Sequence, residues 1–498
     1  MKRFRDAFFA TAETDIKHIG VLDGVRAFSV MLVCGFHFWQ QSWLWDLYKS
    51  DILQKIGIAD CGMNWIFSTG YVWVDMMILL TGLCLFLPYA DVMTDNPESL
   101  ADAFKGGTKR KLPPAGKFYV KRVARIFPSY YLCIAVFVAF FVRVADYGSF
   151  EPKAAYLRDL ISHLTFTHMA DRSTYLYTRF NGVLWTVGVE MAFYLIFPLL
   201  AYLFTKAPVF TWLGMNGCSL VYYLAVIMKH QDDLGFYINQ FPTFLCVFAN
   251  GMMAALFIAA LAKKLKQNKY TGLFFTFLAL FSLYFIRLTV KYGLATSKTG
   301  QFWQVQNRFG LSLLFVAFII GASFSFNWFR AVFSNPVTRF LAAISFNLYI
   351  WHQVISVKFK DWKIPFWDVE SGRPQQDAGR AWQWKYTLII WASSIALAAL
   401  ITYLFEKPLH KLIMKAYGKA EELAKSKRAA RRNVKAIQAE NISEEITPVE
   451  NAGAHAEENG EAVPESEAEL PEDKAAEDKA RENGNDIPEE PSVEDETI

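Results

Sequence analysis

Arg26 and His37 lie eleven residues apart in the apolar run LDGVRAFSVMLVCGFHFWQQ. On an α-helix that spacing is ~16 Å of rise, and eleven steps of 100° leave about 20° beyond three full turns, so both side chains share one face. Arginine is a permanently charged, planar anion binder, and histidine is the side chain whose ordinary titration range suits proton transfer near neutrality. That face therefore offers an anion anchor near one membrane surface and an imidazole about three turns further in. A second basic group, Lys121, Arg122 and Arg125 in KRVARIFPSYY, is placed at the start of the third apolar run, where a helix N-terminus would itself favour anions. The two features together suit a long ligand with phosphates at one end and a reactive group at the other.

Three more ionisable residues fall inside apolar runs: Asp75 in VWVDMMILLTG, Glu190 in LWTVGVEMAFYLIFPLL and His352 in SFNLYIWHQVI. Such residues are costly in hydrocarbon and usually face a bundle interior or a wet cavity. Asp75 is expected to pair with a basic group such as Arg26, and His352 to sit behind Tyr349 and Trp351.

The elements that must carry these residues are membrane helices. Of 498 residues, 53% are hydrophobic and only 20% charged, which excludes a soluble enzyme of this size. Runs of about 20 apolar residues, the length that spans a bilayer, fall at 22–44, 65–89, 126–145, 183–204, 208–228, 241–262, 270–288, 309–328, 340–357 and 386–405. The expected fold is all-α, a polytopic membrane protein of about ten transmembrane helices. Residues 1–415 form the transmembrane domain, 416–435 a basic amphipathic juxtamembrane helix suited to anionic lipid, and 436–498 a disordered acidic tail.

The net charge of +4 averages two unlike regions. Residues 436–498 hold 21 Asp and Glu against 3 Lys and Arg, which leaves residues 1–435 with 48 basic and 26 acidic residues, a net of +22. The densest basic clusters are MKRFR, the stretch 105–125, KKLKQNK at 263–269 and the region after Glu406, so all four, and both termini, are expected to be cytoplasmic. No CxxC occurs among the six cysteines, and neither a metal nor a nucleic-acid partner is expected. The N-terminal stretch lacks a cleavable apolar core, so the first run is read as a retained anchor.

With these motifs in order, the chain resembles the acyltransferase-3 family of integral membrane acyltransferases over roughly residues 18–410. The resemblance rests on LDGVRAFSVMLVCGFH with its Arg-x10-His, WVDMMILLTG, KRVARIFPSYY, LWTVGVEMAFYLIFP, ISFNLYIWH and FEKP. Thr81 replaces the family's usual Ser, Met191 a common second Glu, and Met76 and Met77 the usual aromatics. The resemblance implies O-acyl transfer, typically from acetyl-CoA as co-substrate with no bound cofactor, to a hydroxyl of a carbohydrate such as a surface polysaccharide or its lipid-linked precursor. It also implies a bacterial plasma (inner) membrane, with any further pathway enzymes on separate chains.

On that reading His37 is the general base, acting in direct transfer or as a transient acyl carrier. Glu190, expected at the depth of His37, would orient the imidazole or bind acceptor hydroxyls, and Asp75 completes the catalytic set. Arg26, Lys121, Arg122 and Arg125 would hold acyl-CoA. Trp185, Tyr349 and His352 would meet the acceptor, with the aromatic loop 358–385 a further candidate for sugar contact. A secondary transporter also buries charges in ten spans, but its usual internal repeat is not seen. A non-catalytic scaffold is the third reading, and neither of these predicts turnover of acetyl-CoA.

Overall fold

Among the described residues, ten helices are long and apolar enough to cross a bilayer, and no other class of regular structure is present. The computed structural model describes residues 19–45, 64–94, 104–107, 112–148, 151–296, 300–369 and 371–445. The spanning helices are α1 (Gly20–Ser42), α2 (Trp73–Met93) and α3 (Ala115–Val136), then α5 (Trp185–Lys206) through α11 (Gly379–Ile401). Between the last two of these come α6 (Pro208–Tyr222), α7 (Leu245–Lys264), α8 (Lys269–Thr296), α9 (Gly300–Phe324) and α10 (Pro336–Asp361). The shorter α4 (Pro152–Leu164) lies between two spans, and α12 (Lys407–Glu445) follows the last. Residues Met1–Lys425 form one compact unit. Ser426–Ile498 form a second, helical as far as Glu445, and the rest of the expected acidic tail lies outside the described residues.

Helix starts follow local chemistry. Asn335 caps α10, accepting from the Thr338 N–H at 3.0 Å while Thr338 returns a bond to Asn335, and Pro336 occupies the first turn, where no N–H is needed. Pro114, extended at ψ 133°, stands immediately before α3. That helix therefore begins at Ala115, eleven residues ahead of the apolar run, and carries its basic residues inside it.

Close approach needs small residues where no hydrophobic force draws helices together. Where α2 crosses α7, a Cβ on Gly82 would collide with the Phe248 carbonyl, and one on Gly251 with that of Leu79. On α1, Gly24 meets the backbone of Phe333 in the same way. Packed against α10 on one side and α2 on the other, α1 has its rotation fixed, and so has the direction of Arg26 and His37.

The segment between α3 and α5, read from sequence as a loop, holds α4 and a polar hub on Asp159. Its Oδ2 accepts from the Tyr147 hydroxyl at 2.7 Å, the Thr178 hydroxyl at 3.0 Å and the Arg179 N–H at 3.1 Å, while His163 Nδ1 stands 3.1 Å from Oδ1. The His163 ring stacks on His168 at 4.2 Å. Burial, helped by His163, pulls the His168 pKa down from 6.5 to about 3. Burial alone would raise the Asp159 carboxyl, but bonds from His163 and Tyr147 outweigh it and leave it below its ordinary 3.8.

The sign follows directly. Below pH 6.5 the unfolded segment takes a proton on His168 that the folded one refuses, so stability falls as pH drops from about 6.5 toward 3, with Asp159 adding to the loss only below 3.8. By pH 5 the His168 contribution has fallen by on the order of 2 kcal/mol. Hydrogen exchange in residues 151–181, corrected for intrinsic rate, is expected to speed up between pH 7 and pH 5 in the parent and not in His168→Gln. Equal protection of the parent at both values would refute this.

Candidate active site

Two cavities open along one face of α1. Arg26 and Val30 line the first, and Val33 and His37 line the second, so the stripe 26, 30, 33, 37 runs from one to the other. The eleven-residue spacing thus does what helix geometry predicted. Tyr349 of α10 borders both cavities.

The first cavity is a basic cleft of about 90 Å3. Arg26, Arg122 and Arg125 supply three guanidinium groups, with Glu190 and Thr81 on the same wall. At ~30 Å3 per water that is roughly three water volumes, enough to seat one anionic group or a slim chain. Arg122 lies over the rings of Phe118 and Tyr194, at 5.6 and 5.7 Å from their centroids, which holds the fork in place. Arg125 keeps exposed surface well inside the helix because it borders the cleft.

Lys121 and the expected helix N-terminus both need correction. Only the first four N–H groups of a helix are unspent, and α3 starts at Ala115, so Arg122 and Arg125 lie two turns or more beyond them. The anion site is built from side chains alone. Lys121 is exposed and does not line the cleft.

Glu190 belongs to this cleft and not to the His37 cavity. Its Oε1 accepts from the Thr81 hydroxyl at 3.2 Å and its Oε2 from the Tyr194 hydroxyl at 3.5 Å. It was expected at the depth of His37, but it lies at the Arg26 end of the α1 stripe, in the cleft that also holds Arg122 and Arg125. Thr81, which departs from the family's usual Ser, keeps the hydroxyl that this bond uses. Glu406, in the wider turn ending α11, accepts from Asn347 at 2.6 Å and Ser129 at 3.3 Å, tying α10 and α3 together.

The second cavity measures about 460 Å3 and contains His37. Around it stand Gln40, Tyr71, Asp75, Trp185, Asn239, Gln301, Gln304 and Tyr349. Gln40, one turn beyond His37, reaches the imidazole. None of the lining residues comes from the aromatic loop 358–385; there Trp382 stacks on Tyr386 and donates to the Pro365 carbonyl. His352 is fully buried behind His37, with ring centroids 5.1 Å apart, and lines neither cavity. Its Nδ1–H donates to the Tyr349 carbonyl at 2.6 Å, which fixes the tautomer and ties the ring to the residue both cavities share.

Asp75 does not pair with Arg26, whose Nη2 instead meets Cys84 Sγ at 3.4 Å. Its partner is Arg308, with Nε at 3.2 Å from Oδ2, and Gln304 Nε2 stands 3.4 Å from Oδ1. Arg308 also donates to the Ile238 carbonyl at 3.0 Å and lies over the Phe244 ring at 4.1 Å. Sequence reading missed Arg308 because the eighth apolar run was taken to begin at 309, whereas α9 begins at Gly300. Gln301, Gln304 and Arg308 follow an i, i+3, i+7 spacing, which would have marked one inward helix face.

Comparison with known proteins identifies the family of the chain. No curated protein and no solved structure gives a match, but a family profile described as an acyltransferase domain matches residues 19–407. That stretch contains both cavities and all ten spanning helices, and the chain, a multi-pass integral membrane protein, belongs to the acyltransferase-3 family.

Proposed function

We propose that the chain moves an acetyl group from acetyl-CoA to a hydroxyl of a carbohydrate, a surface polysaccharide or its lipid-linked precursor. The observation that carries this reading is the single face of α1 that joins a three-arginine cleft to a larger cavity holding His37. Arg26, Arg122 and Arg125 hold an anionic group of the donor at the cleft, and the slim thioester arm runs on along the α1 face toward His37. Lys121 acts at most at the approach to the cleft. His37 takes the proton from the acceptor hydroxyl as the oxygen attacks the thioester carbonyl. The tetrahedral adduct then collapses, the C–S bond breaks, and the CoA thiolate leaves and is reprotonated. Trp185 and Tyr349 form acceptor walls, His352 backs the base, and Glu190 positions the arginines.

By the positive-inside tendency the end bearing the 105–125, 263–269 and post-406 clusters faces the cytoplasm, where the donor is made. The acceptor then meets His37 from the other side of a bacterial plasma membrane.

The test uses purified full-length protein in lipid nanodiscs with radiolabelled acetyl-CoA. Transfer or slow thioester hydrolysis that depends on His37 is expected, and a transporter or scaffold gives neither. Arg122→Gln and Arg125→Gln are each expected to raise the KM for acetyl-CoA about tenfold or more, the cost of one lost charged hydrogen bond. The same variants should barely change kinetics with acetyl-pantetheine, which lacks the phosphates. An equal loss with both donors would remove the anion role.

A further inference from the structure

We infer that the His37 cavity selects an uncharged polyhydroxy acceptor and that Gln40, Asn239 and Gln301 set this selectivity; the inference rests on the acyl-transfer reading above. The cavity of about 460 Å3 amounts to roughly fifteen water volumes, room for one or two sugar rings. Among the described residues its polar lining is made of side-chain amides, phenols and the His37 imidazole, with one carboxylate and no Lys or Arg. That carboxylate, Asp75, is already committed: Oδ2 faces Arg308 at 3.2 Å and Oδ1 faces Gln304 at 3.4 Å. Among the described residues, no charge that lines the cavity is left over for a ligand. An ammonium would need an unpaired carboxylate and a carboxylate or sulfate an unpaired cation, and a desolvated charge without one costs several kcal/mol.

Amides match a different chemistry. Each presents a carbonyl acceptor and two N–H donors, and a hydroxyl is itself donor and acceptor. Asn239 spends Nδ2 on the Tyr175 hydroxyl at 2.7 Å, which orients its carbonyl oxygen as an acceptor. Gln40 lies beside the imidazole and Gln301 stands at the exposed start of α9, so the amides reach the cavity from two helices and the segment before α7. Trp185 provides the apolar ring face that the C–H side of a pyranose can cover.

The experiment uses full-length protein in nanodiscs, labelled acetyl-CoA and probes that share one pyranose ring and differ at one substituent: a methyl glucoside, the glucosaminide with an ammonium in place of the 2-hydroxyl, and the glucuronide with a carboxylate at C6. The neutral probe is expected to show a kcat/KM at least tenfold above either charged one. Gln301→Glu is expected to shift the ratio of glucosaminide to glucoside use upward by at least fivefold; being a ratio, it survives a partly folded preparation. Maltose and dodecyl maltoside form a further pair, and a preference for the second assigns the neutral sugar to a lipid carrier, for the first to a free glycan. Charged probes used as well as the neutral one, or an unchanged ratio in Gln301→Glu, overturns the inference. So does a parent that hydrolyses acetyl-CoA and acylates no sugar. A parent that neither hydrolyses nor transfers overturns the acyl-transfer reading, and this inference with it.

Discussion

Replacing His37 with alanine is expected to lower acetyl transfer by about 10²- to 10⁴-fold, the range a positioned general base supplies. The side chain borders a cavity on one side and His352 on the other, and its Nδ1 has no hydrogen-bond partner among the described residues, so its loss breaks little that holds the bundle. Thermal stability in detergent should therefore change far less than activity. Added imidazole should recover part of the rate, since the vacated space adjoins a cavity that admits a small molecule. A purely structural histidine would show the opposite pattern, with a fall in stability and no chemical rescue. Transfer at the parent rate by purified His37→Ala protein would sink the assignment outright.

What could be read from sequence divides along a physical line. The relation between Arg26 and His37 was legible because both lie on one helix, where spacing alone fixes direction. The all-helical fold was legible because hydrocarbon demands long apolar runs. Relations between helices were not. Glu190 was expected beside His37, but where it falls along the α1 stripe depends on how α5 packs against α2, where the Thr81 hydroxyl bonds its carboxylate. The limits of α3 and α9 were misplaced for the same reason at opposite ends of the bundle. Polar turns such as KFYVKRVAR and GQFWQVQNR look like loops to any hydropathy rule, yet they are helical and turn Arg122, Arg125, Gln301 and Gln304 toward the two cavities. The amides around His37 come from α1, α9 and the segment before α7, a convergence with no signature in any one stretch.

The pairing of Asp75 with Arg308 carries the largest expected effect on stability. Both side chains are almost wholly buried, at 1% and 2% exposure, so removing either leaves a nearly buried charge without its partner. Asp75→Leu or Arg308→Leu alone is expected to cost about 3–5 kcal/mol, whereas the double replacement should recover most of that, because a buried pair roughly breaks even against apolar side chains of similar size. Unfolding by heat or by sodium dodecyl sulfate, arranged as a double-mutant cycle, measures the coupling directly. The functional consequence is separable. Arg308 also holds the Ile238 carbonyl and packs on Phe244, and this segment carries Asn239 into the cavity wall. The double variant should therefore regain its fold and still lose acceptor use, with KM for the sugar rising more than KM for the donor. Full acceptor kinetics in a refolded double variant would show that the pair only fills space. A double variant no more stable than the singles would show that the bond to Ile238, and not the charge pairing, is what the bundle depends on.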